Sequence, residues 1–188
     1  RVAGLCFATL IYFQISGTWQ SALETFVLMG VSVALALGVG IPVGIAMGLN
    51  QSVAKLIRPM LETMQILPVF VYFVPLIMVF GLGQTPAIVA TTIYAIAPAA
   101  CFTCLGIAAT DKTILEAATS VGSTPTQTLA KVRIPLAMPS ILAGINQAVM
   151  MALSMVIFVA LIGASGLGRD VWAAMRQLDI GLALEIGT

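Results

Sequence analysis

Cys101-Phe-Thr-Cys104 is the spacing in this chain that most invites a chemical reading, because two thiols so placed can hold a metal or cycle between dithiol and disulfide. The pair lies inside an apolar run without a second pair of ligands, so two small apolar side chains are expected instead. The chain has no histidine. That removes imidazole ligands, imidazole general bases and every Ser-His-Asp or Cys-His nucleophile. No GxxxxGK[ST] loop is present to cradle phosphates. No catalytic residue and no metal ligand is expected, which argues against an ordinary hydrolase.

A second set of side chains is polar without being reactive. Gln65, Thr91, Thr92, Asn146, Gln147 and Ser154 interrupt otherwise apolar stretches. Amides and hydroxyls are costly in hydrocarbon and usually face the interior of a helix bundle, which makes these residues candidates for lining a path through one. Glu62 falls at the start of one such stretch, and Arg58 is placed four residues earlier to pair with it along a helix.

Composition dictates the elements that must hold these residues. Of 188 residues, 60% are hydrophobic and 8% charged, against roughly 25% charged in a soluble domain, and the mean hydropathy is +1.10. A net charge of +1 leaves no basic footprint for nucleic acid. Charges divide the chain into uncharged runs over 2–23, 25–54, 63–110 and 134–168, the third split by the turn residues Gly81-Leu-Gly-Gln-Thr-Pro86. Spans are expected near 2–13, 25–48, 60–82, 86–108 and 136–163, with a last one starting at 182. They should be helices, since period-2 patterns are absent and unsatisfied backbone groups are costly in lipid. The expected class is all-α and polytopic, a single transmembrane domain over 1–188 that reads as cut at both ends.

Orientation follows from the cations. Arg1, Lys55, Arg58, Lys112, Lys131 and Arg133 fall on one side of the alternating spans, with Arg169 and Arg176 on the other, which makes 109–135 a cytoplasmic loop and 164–181 an outer one. Gly40, Gly44 and Gly48 recur every four residues and present a flat stripe for a neighbouring backbone, as static packing or as a moving interface. Pro42, Pro68, Pro75 and Pro98 each remove a helix donor and can kink their spans.

The 109–135 loop carries most of the information. It reads as two short helices joined at Gly122, a natural left-handed stop. Thr113 with Glu116 fits a capping box for the first helix; Thr124, Pro125 and Gln127 repeat that logic for the second, which Pro135 is expected to end. Ile114, Leu115, Ala118 and Val121 form an apolar edge suited to lipid or to a partner's groove.

Glu116-Ala-Ala, three residues, Gly122, nine residues and Val132-Arg-Ile-Pro135 together resemble the EAA motif of permease subunits of ATP-binding-cassette importers. Val121 stands where an aromatic residue is usual, and Ile134 where leucine is. Leu56-Ile-Arg-Pro, Glu62-Thr-Met-Gln65, Pro68-Val-Phe-Val-Tyr72, Phe80-Gly-Leu-Gly83, Leu136-Ala-Met-Pro139, Ala143-Gly-Ile-Asn-Gln147, Ala152-Leu-Ser-Met155, Gly166-Leu-Gly168 and Leu178-Asp-Ile-Gly181 resemble the glycine betaine/proline betaine branch, from about residue 25 to the end.

The resemblance implies a type I importer (MetI-like) transmembrane domain, multi-pass in a bacterial inner or cytoplasmic membrane. Glu116, Ala117, Ala118, Gly122, Val132, Ile134 and Pro135 would form the helix that couples to the ATPase. The partners implied are an ATP-binding-cassette ATPase that holds ATP and Mg, an extracytoplasmic solute-binding protein and a second permease copy. No cofactor is implied in this chain. For a betaine-like solute, Gln65, Tyr72, Thr91, Asn146, Gln147, Ser154 and Met155 are the path candidates, since aromatic faces and sulfur suit a quaternary ammonium group. Phe73, Met150 and Met151 could add to that surface. The same machine carrying choline, histidine or another zwitterion stays open. So does a secondary transporter or channel, although no carboxylate lies at mid-span to couple an ion.

Overall fold

The computed structural model describes residues 19–176; the stretches near 2–13 and from 182 on lie outside them. The described residues form α-helices joined by short turns: α1 Trp19–Leu49, α2 Gln51–Ile66, α3 Val69–Phe80, α4 Gln84–Ala108, α5 Lys112–Ser120, α6 Pro125–Thr128, a π-helical turn Leu129–Arg133, α7 Ile134–Leu161 and α8 Leu167–Arg176. Among them, α1, α4 and the continuous run Pro125–Leu161 are long and apolar enough to cross a membrane; α2 with α3 would add a fourth crossing as one broken span. The break has a local cause. Pro68 has no N–H and forces the residue before it out of the helical region, and Leu67 duly stands at φ −64, ψ 134. The stretch expected to cross over 60–82 is thus built from two helices, the first starting at Gln51 on an Asn50 cap whose side chain accepts from the Ser52 N–H at 2.9 Å.

The chain divides into two compact units. Among the described residues, one contains Val33–Pro68 and Thr92–Ala152; the other contains 19–32, Val69–Thr91 and 153–176.

The first unit is held by small residues that let backbones meet. A Cβ added at Gly40 would stand 2.8 Å from that of Ala99, one at Gly44 2.6 Å from that of Thr103, and one at Gly48 2.6 Å from that of Ile107. The stripe on α1 is therefore spent on close packing against α4, as dispersion and backbone approach require where water supplies no driving force. Gly106 and Gly144 repeat the device between α4 and α7, against Ala137 and Phe102. Cys104 belongs to a buried apolar cluster with Met47, Leu61, Ala97 and Ala100.

In the second unit Phe73 is buried and meets Phe70 edge-on at 6.3 Å; Phe70 meets Phe158 in the same way at 5.9 Å. The Ser32 hydroxyl donates to the Leu28 carbonyl at 2.8 Å, with the Ile88 carbonyl of α4 at 3.4 Å. On the α1 portion of this unit the side chains of Phe26, Val27 and Val31 stay exposed, the surface expected of a helix that faces lipid.

Candidate functional site

The segment from Asp111 to Pro135 is shaped almost entirely by its own hydrogen bonds. Asp111 caps α5, its side chain accepting from the Thr113 N–H at 2.9 Å. The expected Thr113–Glu116 capping box is not formed, because Asp111 starts the helix two residues earlier and places Thr113 already inside it. The aspartate signal was present in the sequence, but the better-known Thr-x-x-Glu template overlapped it. Glu116 is exposed, and its carbonyl accepts the hydroxyls of Thr119 at 2.8 Å and Ser120 at 3.0 Å.

At the far end Gly122 takes φ +80. Its N–H donates to the Thr119 carbonyl at 2.9 Å, and the Ser123 N–H donates to the Ala118 carbonyl at 3.1 Å. This is a complete Schellman stop, in which the left-handed residue is a glycine because any Cβ there is strained. Two residues on, the Thr124 hydroxyl accepts from the Gln127 N–H at 3.3 Å while the Gln127 side chain accepts from the Thr124 N–H at 2.9 Å, with Pro125 in the first turn. That capping box forms as the sequence implies.

Pro135 does not end the helix. The chain passes from α6 through the π-turn into α7, the Ile134 N–H reaching back to the Leu129 carbonyl. A widened turn directly before a proline relieves the crowding that its ring causes in a regular helix. No propensity signal marked this turn in advance. Within the described residues, the buried Thr128 hydroxyl just before it has no hydrogen-bond partner.

The apolar edge of α5 is left open. Val121 is 82% exposed and Ile114 42%, while Leu115 and Ala118 are half-buried, and no residue of α5 is buried. Ala117 and Pro135 are exposed; Val132 and Ile134 are half-buried. A short, doubly capped helix with an uncovered apolar edge has the form of a docking element.

The path candidates are divided between the two units. Gln65, Asn146 and Gln147 belong to the unit with Val33–Pro68 and Thr92–Ala152; Tyr72, Thr91, Ser154 and Met155 belong to the other. Thr91 and Met155 are buried, and the Thr91 hydroxyl has no hydrogen-bond partner within the described residues. Gln65 and Tyr72 are half-buried. Asn146, Gln147 and Ser154 lie on one exposed stripe of α7 with Leu142, Met150, Leu153 and Ile157. Arg58 and Glu62 pair at 3.9 Å on the exposed side of α2.

Residues 40–187 match the family described as binding-protein-dependent transport system inner membrane component. The glycine betaine/proline betaine transport system permease protein ProW of Escherichia coli is 42% identical over 93% of the chain, which spans 49% of that relative. The glycine betaine transport system permease protein OpuAB of Bacillus subtilis is 42% identical over 98% of the chain, which spans 66% of it. A solved structure of the MetNI methionine ABC transporter in inward-facing conformations superposes with a TM-score of 0.76 at 20% identity, over 95% of this chain and 88% of the other.

Proposed function

Since the chain belongs to the family of binding-protein-dependent transport system inner membrane components, we propose that it is the permease half of an ATP-driven importer of betaine-like solutes. The observation that carries this is the Asp111–Pro135 segment, whose helix is stopped rigidly at Gly122 and keeps its apolar edge uncovered. In this reading the groove of a separate ATPase receives that edge, with Glu116, Ala117, Ala118 and Gly122 in the docking helix. Val132, Ile134 and Pro135 lie at the joint that passes its movement into α7. ATP and Mg stay on the ATPase, and the permease itself makes and breaks no bond.

The exposed stripe of α7 supports a second element of the proposal. Asn146, Gln147 and Ser154 would be costly against lipid, so that stripe faces the solute path or a second permease copy. Gln65, Tyr72, Thr91 and Met155 complete the candidate lining. Tyr72 and the thioether suit a quaternary ammonium group, which offers no hydrogen-bond donor. An extracytoplasmic solute-binding protein would deliver the solute to two such subunits in a bacterial inner membrane.

The test is uptake of labelled glycine betaine by the full-length permease with its ATPase and its binding protein, in cells without other osmolyte importers. Saturable uptake that stops when the ATPase is inactivated is expected. Stronger competition by choline or histidine than by proline betaine would reassign the solute. Uptake independent of any ATPase would overturn the reading in favour of a secondary carrier.

A further inference from the structure

Two glycine-bearing stretches, 80–84 and 162–168, take no part in the coupling segment, yet the structure brings them together within one unit. They meet at the ends of α4 and α7 that the cation distribution assigns to the non-cytoplasmic side. The contact has two halves of different character.

One half is tight. The Leu167 N–H donates to the Thr25 hydroxyl of α1 at 2.9 Å, and that hydroxyl donates onward to the Ser21 carbonyl at 2.9 Å. Gly166, at φ +125, lies so close that a Cβ there would overlap the Thr25 oxygen, and one on Gly168 would stand 3.2 Å from that of Ala160. Thr25, Gly166 and Gly168 are all buried. The other half is loose. The Gly83 N–H donates to the Ile162 carbonyl at 3.2 Å, and the Gln84 side-chain amide donates to the exposed-side hydroxyl of Ser165. Gly81 and Gly83 have open space where a Cβ would stand, and Leu82 between them is 72% exposed. The Gln84–Ser165 bond is itself exposed to solvent.

We propose that 162–168 is a strap anchored to α1 by Thr25 as its positioning residue and released from the Gly83–Gln84 corner when the path opens to the non-cytoplasmic side. The proposal rests on the importer reading. The strap supplies closure with a fixed and a releasable end, because Thr25, Gly166 and Gly168 are buried at one end while the Gln84–Ser165 bond at the other is exposed. Loss of the Thr25 hydroxyl leaves the Leu167 N–H unpaired and lets the strap leave its closed position more easily.

The experiment uses the full complex of permease, ATPase and binding protein in proteoliposomes. Gln84→Cys and Ser165→Cys are introduced together after Cys6, Cys101 and Cys104 are replaced by serine, and the pair is bridged by a short, reducible bifunctional thiosulfonate. Bridging should abolish uptake, and reduction should restore it in the same sample, which excludes misfolding as the cause. Unchanged uptake by fully bridged complex would overturn the strap. Thr25→Val should raise hydrolysis of ATP without the binding protein by about fivefold, the equivalent of one net hydrogen bond, while Thr25→Ser should match the parent. Equal rates for valine, serine and parent would also overturn it. An unbridged parent that drives no uptake would instead bring down the importer reading, so the two failures are distinguishable.

Discussion

The proposed coupling segment and the proposed strap are both short, glycine-punctuated connections, yet they are held in opposite ways. In the coupling segment the hydrogen bonds described here, from Asp111 to Ile134, join residues two to five apart in sequence. In the strap, Leu167 bonds to Thr25 across 142 residues and Gln84 to Ser165 across 81. A segment that must present a face to another protein needs a shape independent of its surroundings, which caps supply. A segment that closes against its own unit takes its shape from what it closes on. Glycine serves both purposes for different reasons. Gly122 has nothing within 4 Å of a built Cβ, so only its positive φ demands it, whereas Gly166 combines positive φ with a collision.

Substitutions at these two glycines give the largest expected effects. Gly166→Ala should destabilise by about 3 kcal/mol or more, since strain and overpacking add; Gly122→Ala, strained but unobstructed, should cost only ~1–2 kcal/mol. Thermal melting of the detergent-purified protein reads both, and equal losses would erase the distinction. Gly122→Pro sharpens the functional side. Proline cannot reach φ +80 and has no N–H for the Thr119 carbonyl, a local cost of about 3 kcal/mol. The spans should still insert and ATP should still be hydrolysed, but solute uptake should be lost; normal uptake in that variant would show that the segment does not couple.

Smaller effects test how local the coupling segment is. Thr124→Val removes one half of a capping box and should lower stability by ~1 kcal/mol, with a matching fall in coupling efficiency measured as solute moved per ATP. The smallest change is expected at Glu62→Gln. Its pair with Arg58 is exposed and 3.9 Å long, so a loss of no more than ~0.5 kcal/mol is expected in the same melting assay.

How far the sequence could be read follows the same division. The second capping box, the Gly122 stop and the open apolar edge were legible because each depends on residues within one helical turn. The first cap was misplaced by two residues, since Asp111 and Thr113 are both good caps and only the formed backbone chooses. The π-turn before Pro135 was illegible. Whether a proline ends a helix or rides through on a widened turn depends on whether the rest of α7 is held in place by Ala137, Ile141 and Gly144 against α4. The seven path candidates were picked out by side-chain chemistry alone, and side-chain chemistry does not report which of them end up buried, as Thr91 and Met155 are, or displayed on one stripe, as Asn146, Gln147 and Ser154 are.

By itself, the sequence determined that this chain is a helical membrane protein and picked out 109–135 as the segment to examine for coupling. Those properties follow from hydropathy, charge and local backbone chemistry, which act over a few residues whatever the fold. Only the tertiary structure decided that the Gly40, Gly44 and Gly48 stripe is consumed in packing on α4 and that Thr25 meets Leu167. Contacts between residues more than fifty positions apart exist only once helices have packed, and no local preference encodes them.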